Sequence, residues 1–197
     1  MTVDVVFSIR GNSIPRDHGF ALWRELRTCL PWLDAEAAAG IHTIRGAPAN
    51  DEMLLLTQRT KLVLRLPLAR VADAQSLQGR QLDLDGYVLQ IGASRERPLL
   101  AFATLYSQLV CTGSDDELEF HRDIAAQLGQ LDVACKFICG KQRALRAGQT
   151  ELRGYSLMLH DLALGQSTFL QQVGLGGHRK LGCGIFVPHK SIAAVAA

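Results

Sequence analysis

The chain has 197 residues, of which 48% are hydrophobic and 20% are charged, and its formal net charge is +2. This length allows one large domain or two small ones, and the hydrophobic content supports a substantial core and argues against a disordered chain. The N-terminus lacks the basic start of a signal peptide and no apolar run is as long as a membrane span, so we expect a cytoplasmic protein with no membrane partner.

Charge is unevenly distributed along the chain. Residues 1–132 carry 13 Lys and Arg against 17 Asp and Glu, a balance of −4, whereas residues 133–197 carry 8 against 2, a balance of +6. A basic C-terminal third beside a mildly acidic remainder indicates a localised surface for a polyanion. The alternative is a solvated basic face that binds no ligand.

The cysteines do not form a recognisable metal or redox motif. They are odd in number, and Cys135 and Cys139 are four residues apart, which is not the Cys-x-x-Cys spacing of a zinc or redox pair. We therefore expect reduced cysteines, no metal site and no cofactor.

The first half of the chain follows the order strand, helix, strand, strand, helix, strand. Alternating apolar residues mark the strands, apolar residues at helical spacing mark the first helix, and Asp85-Gly86 is a strong hairpin turn. The predicted elements are a strand over 3–10, a helix over 18–30, strands over 40–46, 53–56 and 61–67, a helix over 69–76, and strands over 81–84 and 87–91.

The second half repeats that order. An acidic run at 115–119 is typical of a helix N-terminus, where the helix dipole favours negative charge. A basic turn over Lys141–Gly148 is predicted to join two hairpin strands. The predicted elements are a strand over 105–110, a helix over 115–130, strands over 133–138 and 151–159, a helix over 164–173, and a last strand over 183–187.

Two successive βαββαβ orders predict an α+β fold of two tandem ferredoxin-like, RRM-like modules packed side by side. We place the modules at 1–96 and 97–197, with a boundary error of a few residues. Each module would expose a sheet face of the kind that RNA-recognition modules use. Ferredoxin-like folds have many functions, so the fold alone does not assign one.

A glycine-rich stretch precedes the last predicted strand. Glycine permits a tight loop whose amides can bind an anion, and neighbouring cations add charge. The P-loop pattern fails because no Ser or Thr follows Lys180, and the dinucleotide pattern fails because Arg179 occupies the third glycine position. A polynucleotide backbone remains as the phosphate ligand, and a glycine-rich hairpin without a ligand is the alternative. The glycines are Gly174, Gly176, Gly177, Gly182 and Gly184.

This stretch resembles the C-terminal signature of the CRISPR repeat-processing endoribonucleases of the RAMP superfamily. That signature is Gly-Φ-Gly, five residues that include cations, then Gly-Φ-Gly, where Φ is apolar, and residues 174–184 match it in spacing and type. Asp17-His18-Gly19 and Ile41-His42-Thr43-Ile44-Arg45-Gly46 are similar to motifs of the short members of the family. The duplicated element order extends the resemblance to the whole chain.

The resemblance implies that the chain cuts CRISPR precursor RNA within each repeat without a metal ion. The 2′-hydroxyl would attack the adjacent phosphate, leaving a 2′,3′-cyclic phosphate and a 5′-hydroxyl. The partners implied are CRISPR repeat RNA, the stem-loop of the mature crRNA if the product is retained, and other subunits of an effector complex.

Three residues in the first module are catalytic candidates by this resemblance. Histidine titrates near neutral pH and suits proton transfer, and family members place catalytic histidines at positions corresponding to His18 or His42. Arg45 is the candidate for stabilising charge on the phosphorane. The alternatives are a turn residue at His18, a packed strand residue at His42 and a surface arginine at Arg45.

The second module supplies the candidate RNA-binding residues. Double-stranded RNA is read mostly through its backbone, so phosphate contacts are expected to dominate affinity. Because His178 lies within the glycine loop, we interpret it as a binding group rather than a catalytic one. The complete set is Lys136, Lys141, Arg143, Arg146, Gly174, Gly176, Gly177, His178, Arg179, Lys180, Gly182 and Gly184.

Two other functions compete with the endoribonuclease. A non-catalytic RNA-binding subunit of a CRISPR ribonucleoprotein would share the fold and the basic third. A ferredoxin-like enzyme that acts on a small molecule is disfavoured by the concentration of positive charge in that third.

Overall fold

The computed structural model describes residues 1–189, so Lys190, the last of the C-terminal cations, lies outside the described residues. Within that range no helix is both long enough and apolar enough to cross a membrane. The chain divides into two compact units. Unit 1 comprises Met1–Pro98, Arg146–Thr150 and Lys180–Gly182, and unit 2 comprises Leu99–Leu145, Glu151–Arg179 and the chain from Cys183 onward.

Unit 1 contains eight strands and two α-helices. The strands β3-β6-β1-β8-β7 form one antiparallel sheet in that order, and β2-β5-β4 form a small second sheet. The elements are β1 (Thr2–Arg10), β2 (Ser13–Pro15), α1 (Gly19–Cys29), β3 (Gly40–Ile41), β4 (Ala47–Pro48), β5 (Met53–Leu55), β6 (Lys61–Pro67), α2 (Val71–Ala74, flanked by 3₁₀ turns at Leu68–Arg70 and Gln75–Leu77), β7 (Gln81–Leu84) and β8 (Tyr87–Pro98).

The core of unit 1 follows from the apolar periodicity of its elements. Val3, Val5 and Phe7 alternate along β1 and are buried, and Leu22 and Leu26 of α1 belong to the same hydrophobic cluster. Burial of each of these side chains contributes about 1.5–3 kcal/mol, which favours the amphipathic pattern read from the sequence. The Asp85-Gly86 turn has positive φ at both residues, 55° and 92°, as the predicted hairpin requires.

The strand predicted over residues 40–46 is wrong beyond Ile41. Only Gly40 and Ile41 pair with β6. The amide of His42 still donates to the Val63 carbonyl at 3.0 Å, but the amide of Ile44 donates to a side chain, Nε2 of His18, at 3.0 Å. This side-chain acceptor replaces a strand partner, so the segment leaves the sheet.

Unit 2 repeats the strand order with fewer elements. Its sheet runs β10-β11-β9-β12, and α3 and α4 lie between strands in the chain. In both units the sheet therefore contains the ferredoxin-like order 2-3-1-4, and the predicted α+β ferredoxin-like fold is confirmed. The elements are β9 (Leu105–Val110), α3 (Glu117–Gln130), β10 (Lys136–Ala147), β11 (Thr150–His160), α4 (Leu164–Val173) and β12 (Val187–Pro188).

Two predicted elements of the second half differ from the structure. The basic segment 141–148 is not a turn, because β10 continues to Ala147 and only Gly148 and Gln149 separate the hairpin strands. The last strand is limited to Val187–Pro188, which pairs with β9. It starts late because Gly182 and Gly184 adopt φ of 94° and 64°, values that break an extended strand.

Candidate functional site

A buried carboxylate lies at the centre of the unit 1 sheet. Asp4 is on the central strand β1 and is 3% exposed, and in the strand register it faces Arg65 on one side and Arg97 on the other. Arg65 Nε donates to Oδ1 at 2.8 Å, and Arg97 Nη2 donates to Oδ2 at 2.9 Å. Two guanidinium groups therefore compensate a charge that burial would otherwise make costly.

His42 reaches the same carboxylate. Its Nε2 is buried and lies 3.3 Å from Asp4 Oδ1, within ion-pairing distance but outside hydrogen-bond geometry, and its side chain is 13% exposed. Burial opposes ionisation of Asp4, yet the adjacent His42 ring and the Arg65 guanidinium hold the pKa of that carboxyl far below its usual range. Burial also lowers the pKa of His42, despite the opposing effect of Asp4. A neutral imidazole beside a fixed carboxylate has the arrangement of a general base and its orienting group.

His18 is placed differently. Its ring is 1% exposed, Nδ1 lies 2.9 Å from the Pro15 carbonyl oxygen, and Nε2 accepts the Ile44 amide at 3.0 Å. These two bonds require the neutral tautomer with the proton on Nδ1, and burial lowers the pKa of the ring. Both ring nitrogens are thus occupied, and the ring ties the turn at Pro15 to the segment that carries His42.

Arg45 lies on the same segment, three residues after His42, and is exposed to solvent. Its position leaves the guanidinium available to an external anion. Unit 1 therefore holds all three catalytic candidates, with His18 fixing Ile44 between His42 and Arg45.

The basic hairpin presents several of the candidate cations to solvent. Lys141, Arg143 and Arg146 are exposed along β10. The backbone amide of Arg146 donates to Asp17 Oδ2 at 2.8 Å, a contact that belongs to unit 1. Lys136 differs, because its Nζ forms an ion pair with Asp161 at 3.0 Å.

The glycine stretch is held by backbone hydrogen bonds within unit 2. The amide of Gly176 donates to Gln127 Oε1 at 2.8 Å, the amide of Gly177 to the Cys111 carbonyl at 2.9 Å, and the amide of Gly184 to the Leu109 carbonyl at 2.8 Å. These three amides are directed at protein acceptors rather than at an external phosphate. The expected cradle of exposed loop amides is therefore not formed by these positions.

Steric requirements explain most of the glycines. Gly174 ends α4 with φ of 72°, and a Cβ there would overlap Arg179 Nη1 and the Gly184 carbonyl oxygen. A Cβ on Gly184 would overlap the Leu175 carbonyl oxygen, and one on Gly176 would lie 2.5 Å from the Cys111 carbonyl oxygen. The loop needs glycine for close approach of its own backbone to neighbouring chain.

The three charged or titratable residues of the loop are not equivalent. The guanidinium nitrogens of Arg179 are buried. Lys180 Nζ donates to the Asp34 carbonyl oxygen at 2.6 Å within unit 1. His178 is exposed, with φ of 62°.

One glycine of the signature lies beside the catalytic candidates. Gly182 belongs to unit 1, and a Cβ on it would lie 2.7 Å from Oγ1 of Thr43, the residue that follows His42. The structure therefore brings Gly182 next to the His42 segment, and a larger residue at that position would displace Thr43.

Sequence reasoning misses the carboxylate and the guanidinium groups that surround His42. Asp4, Arg65 and Arg97 are far apart in the chain, and only the strand register brings them together. A signal is present, since Asp4 interrupts the apolar run of β1 and Arg65 interrupts that of β6. Charged residues within buried strands indicate a paired charge at a structural or functional centre.

Comparison with known proteins identifies the family of the chain. The sequence matches the family described as Cas6 Crispr over residues 3–191. A relative described as CRISPR-associated endonuclease Cas6, from Myxococcus xanthus strain DK1622, is 31% identical over 194 residues, which are 98% of this chain and 84% of that protein.

Solved structures share the fold. One, described as a Cas6-related gene from Pyrococcus furiosus, has a TM-score of 0.71 at 12% identity, over 95% of this chain and 98% of that one. Another, described as Thermus thermophilus Cse3 bound to an RNA representing a pre-cleavage complex, has a TM-score of 0.51 at 12% identity, over 94% and 98%. At these identities the structural likeness shows only a shared fold, whereas the sequence matches show the family. The chain belongs to the Cas6 family.

Proposed function

We propose that this chain is a metal-independent endoribonuclease that cleaves CRISPR precursor RNA within its repeats to give mature crRNA. The observation that carries the proposal is the Asp4–His42 pair, in which Nε2 of a buried histidine lies 3.3 Å from a buried carboxylate in unit 1. Family membership supports the reaction, because a relative at 31% identity is described as an endonuclease and a structural neighbour as an endoribonuclease bound to RNA.

His42 is the proposed general base. Because Nε2 is buried beside Asp4, Nδ1 is the nitrogen that takes the proton of the attacking 2′-hydroxyl. The 2′-oxygen forms a bond to phosphorus while the bond from phosphorus to the 5′-oxygen breaks, and the 5′-oxygen leaves with a proton from solvent. A lowered pKa keeps His42 neutral at pH 7, which suits a base rather than an acid.

Arg45 and His18 have separate proposed roles. Arg45, exposed on the same segment, stabilises the negative charge that develops on the phosphorane oxygens. His18 positions rather than reacts, because the Pro15 carbonyl and the Ile44 amide occupy its two nitrogens. Of the two histidines considered from the sequence, His42 is therefore the proposed catalytic group.

RNA binding is assigned to the exposed cations of the β10 hairpin. Lys141, Arg143 and Arg146 would contact phosphates of the repeat stem, with His178 of the glycine stretch beside the RNA backbone. Contacts of this kind would also retain the crRNA stem-loop after cleavage and present it to other subunits of an effector complex.

The test is cleavage of a cognate repeat RNA in excess EDTA. Three substrates are compared: all-ribose RNA, RNA with a single 2′-deoxy nucleotide at the cut site, and RNA with the same substitution one nucleotide away. We expect the first and third to be cut to a 2′,3′-cyclic phosphate and the second to resist.

Two results would contradict the proposal. Cleavage of the substrate with the 2′-deoxy nucleotide at the cut site would exclude 2′-hydroxyl attack. Tight binding without cleavage of any substrate would instead identify a non-catalytic RNA-binding subunit.

A further inference from the structure

Three potential metal ligands converge on one side of unit 2. Glu117 and His121 are four residues apart at the start of α3, so both project from one face of the helix. Cys139 lies on β10. One oxygen, one nitrogen and the sulfur of these side chains all lie within 4.8 Å of one another.

Two of these side chains are held in place by the fold. The imidazole of His121 packs against the ring of Phe137, with centroids 5.0 Å apart, and Phe137 and Cys139 both pack on the hydrophobic core of unit 2. Glu117 is exposed and can turn toward the other two. The favourable interaction of an acidic residue with the α3 N-terminus explains Glu117 alone, but it does not explain the convergence of the histidine and the cysteine.

The donor set matches a particular class of metal. Thiolate, imidazole and carboxylate together are the ligands of Zn²⁺, which takes four ligands in tetrahedral geometry. Tetrahedral zinc holds its ligand atoms roughly 3.5 Å apart, and the three candidate atoms already lie within 4.8 Å of one another. Three protein ligands leave the fourth position to water.

We infer that Glu117, His121 and Cys139 form a binding site for Zn²⁺ or a similar divalent transition metal. The ion would join the first turns of α3 to β10 and fix that side of unit 2. Burial and the nearby Glu117 carboxylate raise the pKa of the Cys139 thiol to about 11, so metal binding would displace the thiol proton. None of these residues belongs to the proposed catalytic or RNA-binding set.

This site departs from the expectation that the sequence raises. The spacing of Cys135 and Cys139 predicts no metal site, because the two cysteines are considered as a pair. The ligands that accompany Cys139 come instead from α3, the helix that precedes its strand in the chain. Only the pairing of helix and strand in the fold brings them together.

The test is titration of the metal-free full chain with Co²⁺, which substitutes for zinc and reports a thiolate ligand through charge-transfer absorption in the near ultraviolet. We expect one equivalent to bind with that absorption, and one equivalent of Zn²⁺ to abolish it. Cys139→Ser removes the absorption, and Glu117→Gln and His121→Ala each weaken Co²⁺ binding at least tenfold. Cys135→Ser changes another cysteine of the same unit and is the control. It should keep both the thiolate absorption and the Co²⁺ affinity of the unaltered chain.

No thiolate absorption in the unaltered chain would overturn the inference. Loss of the absorption in Cys135→Ser but not in Cys139→Ser would also overturn it. So would a Glu117→Gln variant, a conservative change of an exposed residue, that binds Co²⁺ as tightly as the unaltered chain. No RNA is present in these titrations, so their outcome is independent of the cleavage assay.

Discussion

The central strands β1 and β9 occupy the same place in two sheets of the same order, yet they carry different chemistry. β1 contributes a buried carboxylate, Asp4, that is paired with two arginines and reaches His42. β9 contributes a buried neutral side chain, Ser107, whose hydroxyl donates to the Leu109 carbonyl at 3.1 Å. The comparison shows that the repeated fold does not repeat the buried charge cluster, and a buried charge is stable only where its partners are also supplied.

Removing the charge on β1 should be the most damaging change. Asp4→Ala leaves Arg65 buried without its carboxylate, which should lower the free energy of unfolding by about 3–5 kcal/mol. The matched change on β9, Ser107→Ala, should cost only about 0.5–1.5 kcal/mol. Urea denaturation followed by circular dichroism measures both. Equal destabilisation of the two variants would contradict a special role for the charge pair.

A smaller destabilisation is expected in the glycine stretch. Gly184→Ala places a side chain at φ of 64° and against the Leu175 carbonyl, which should cost about 1–3 kcal/mol. Gly177→Ala is the matched control, since a Cβ there meets no atom of the described residues within 4 Å and the residue is not in the positive-φ region. Thermal unfolding of the two variants distinguishes them. If Gly177→Ala were as destabilised as Gly184→Ala, close backbone approach would not explain the signature.

Much of this architecture can be predicted from the sequence. Apolar periodicity places α1 and the alternating strand β6, because one-sided burial is a local pattern. The glycine signature also identifies a distinctive loop before the last strand. Its internal hydrogen bonds are not predictable, since the acceptors Gln127 and Cys111 are remote in the chain.

The site is less predictable than the fold. The motifs containing His18 and His42 are visible in the sequence, but the different roles proposed for them depend on which atoms each ring contacts. The Ile44 amide donates to the His18 ring beyond the end of the strand, and His42 Nε2 lies beside Asp4, a residue remote from it in the chain. Such long-range partners are set by tertiary structure rather than by local pattern.

The two histidines of unit 1 should make stability depend on pH. Burial lowers the pKa of both in the folded chain, so below pH 6.5 the unfolded chain binds more protons than the folded one. Stability should therefore fall as pH drops from 6.5, by at most about 1.4 kcal/mol per pH unit for each histidine. Urea denaturation at several pH values measures the slope, and His18→Gln should reduce it. A slope that does not change in His18→Gln would contradict the burial of a neutral ring.

The exposed cations of β10 should give the mildest phenotype. Lys141→Ala combined with Arg143→Ala should weaken RNA binding and make it less dependent on salt. The slope of log affinity against log salt concentration should become shallower by about 0.7–0.9 for each phosphate contact that is lost. Arg59→Ala changes an exposed cation of the other unit and is the control. Binding assays over a range of salt concentrations report the slope. Unchanged slope in the double variant would place the RNA elsewhere.

The proposed mechanism depends on a division of roles in which His42 transfers the proton while His18 only positions its segment. Single-turnover cleavage of a saturating repeat RNA in EDTA, with binding measured separately, separates the two roles. His42→Ala should bind RNA normally, but its cleavage rate should fall about 100- to 10,000-fold. His18→Gln should have a lower melting temperature and should still cleave RNA, with the same pH dependence of rate as the unaltered chain. Full cleavage by His42→Ala would contradict the assignment of His42 as the general base.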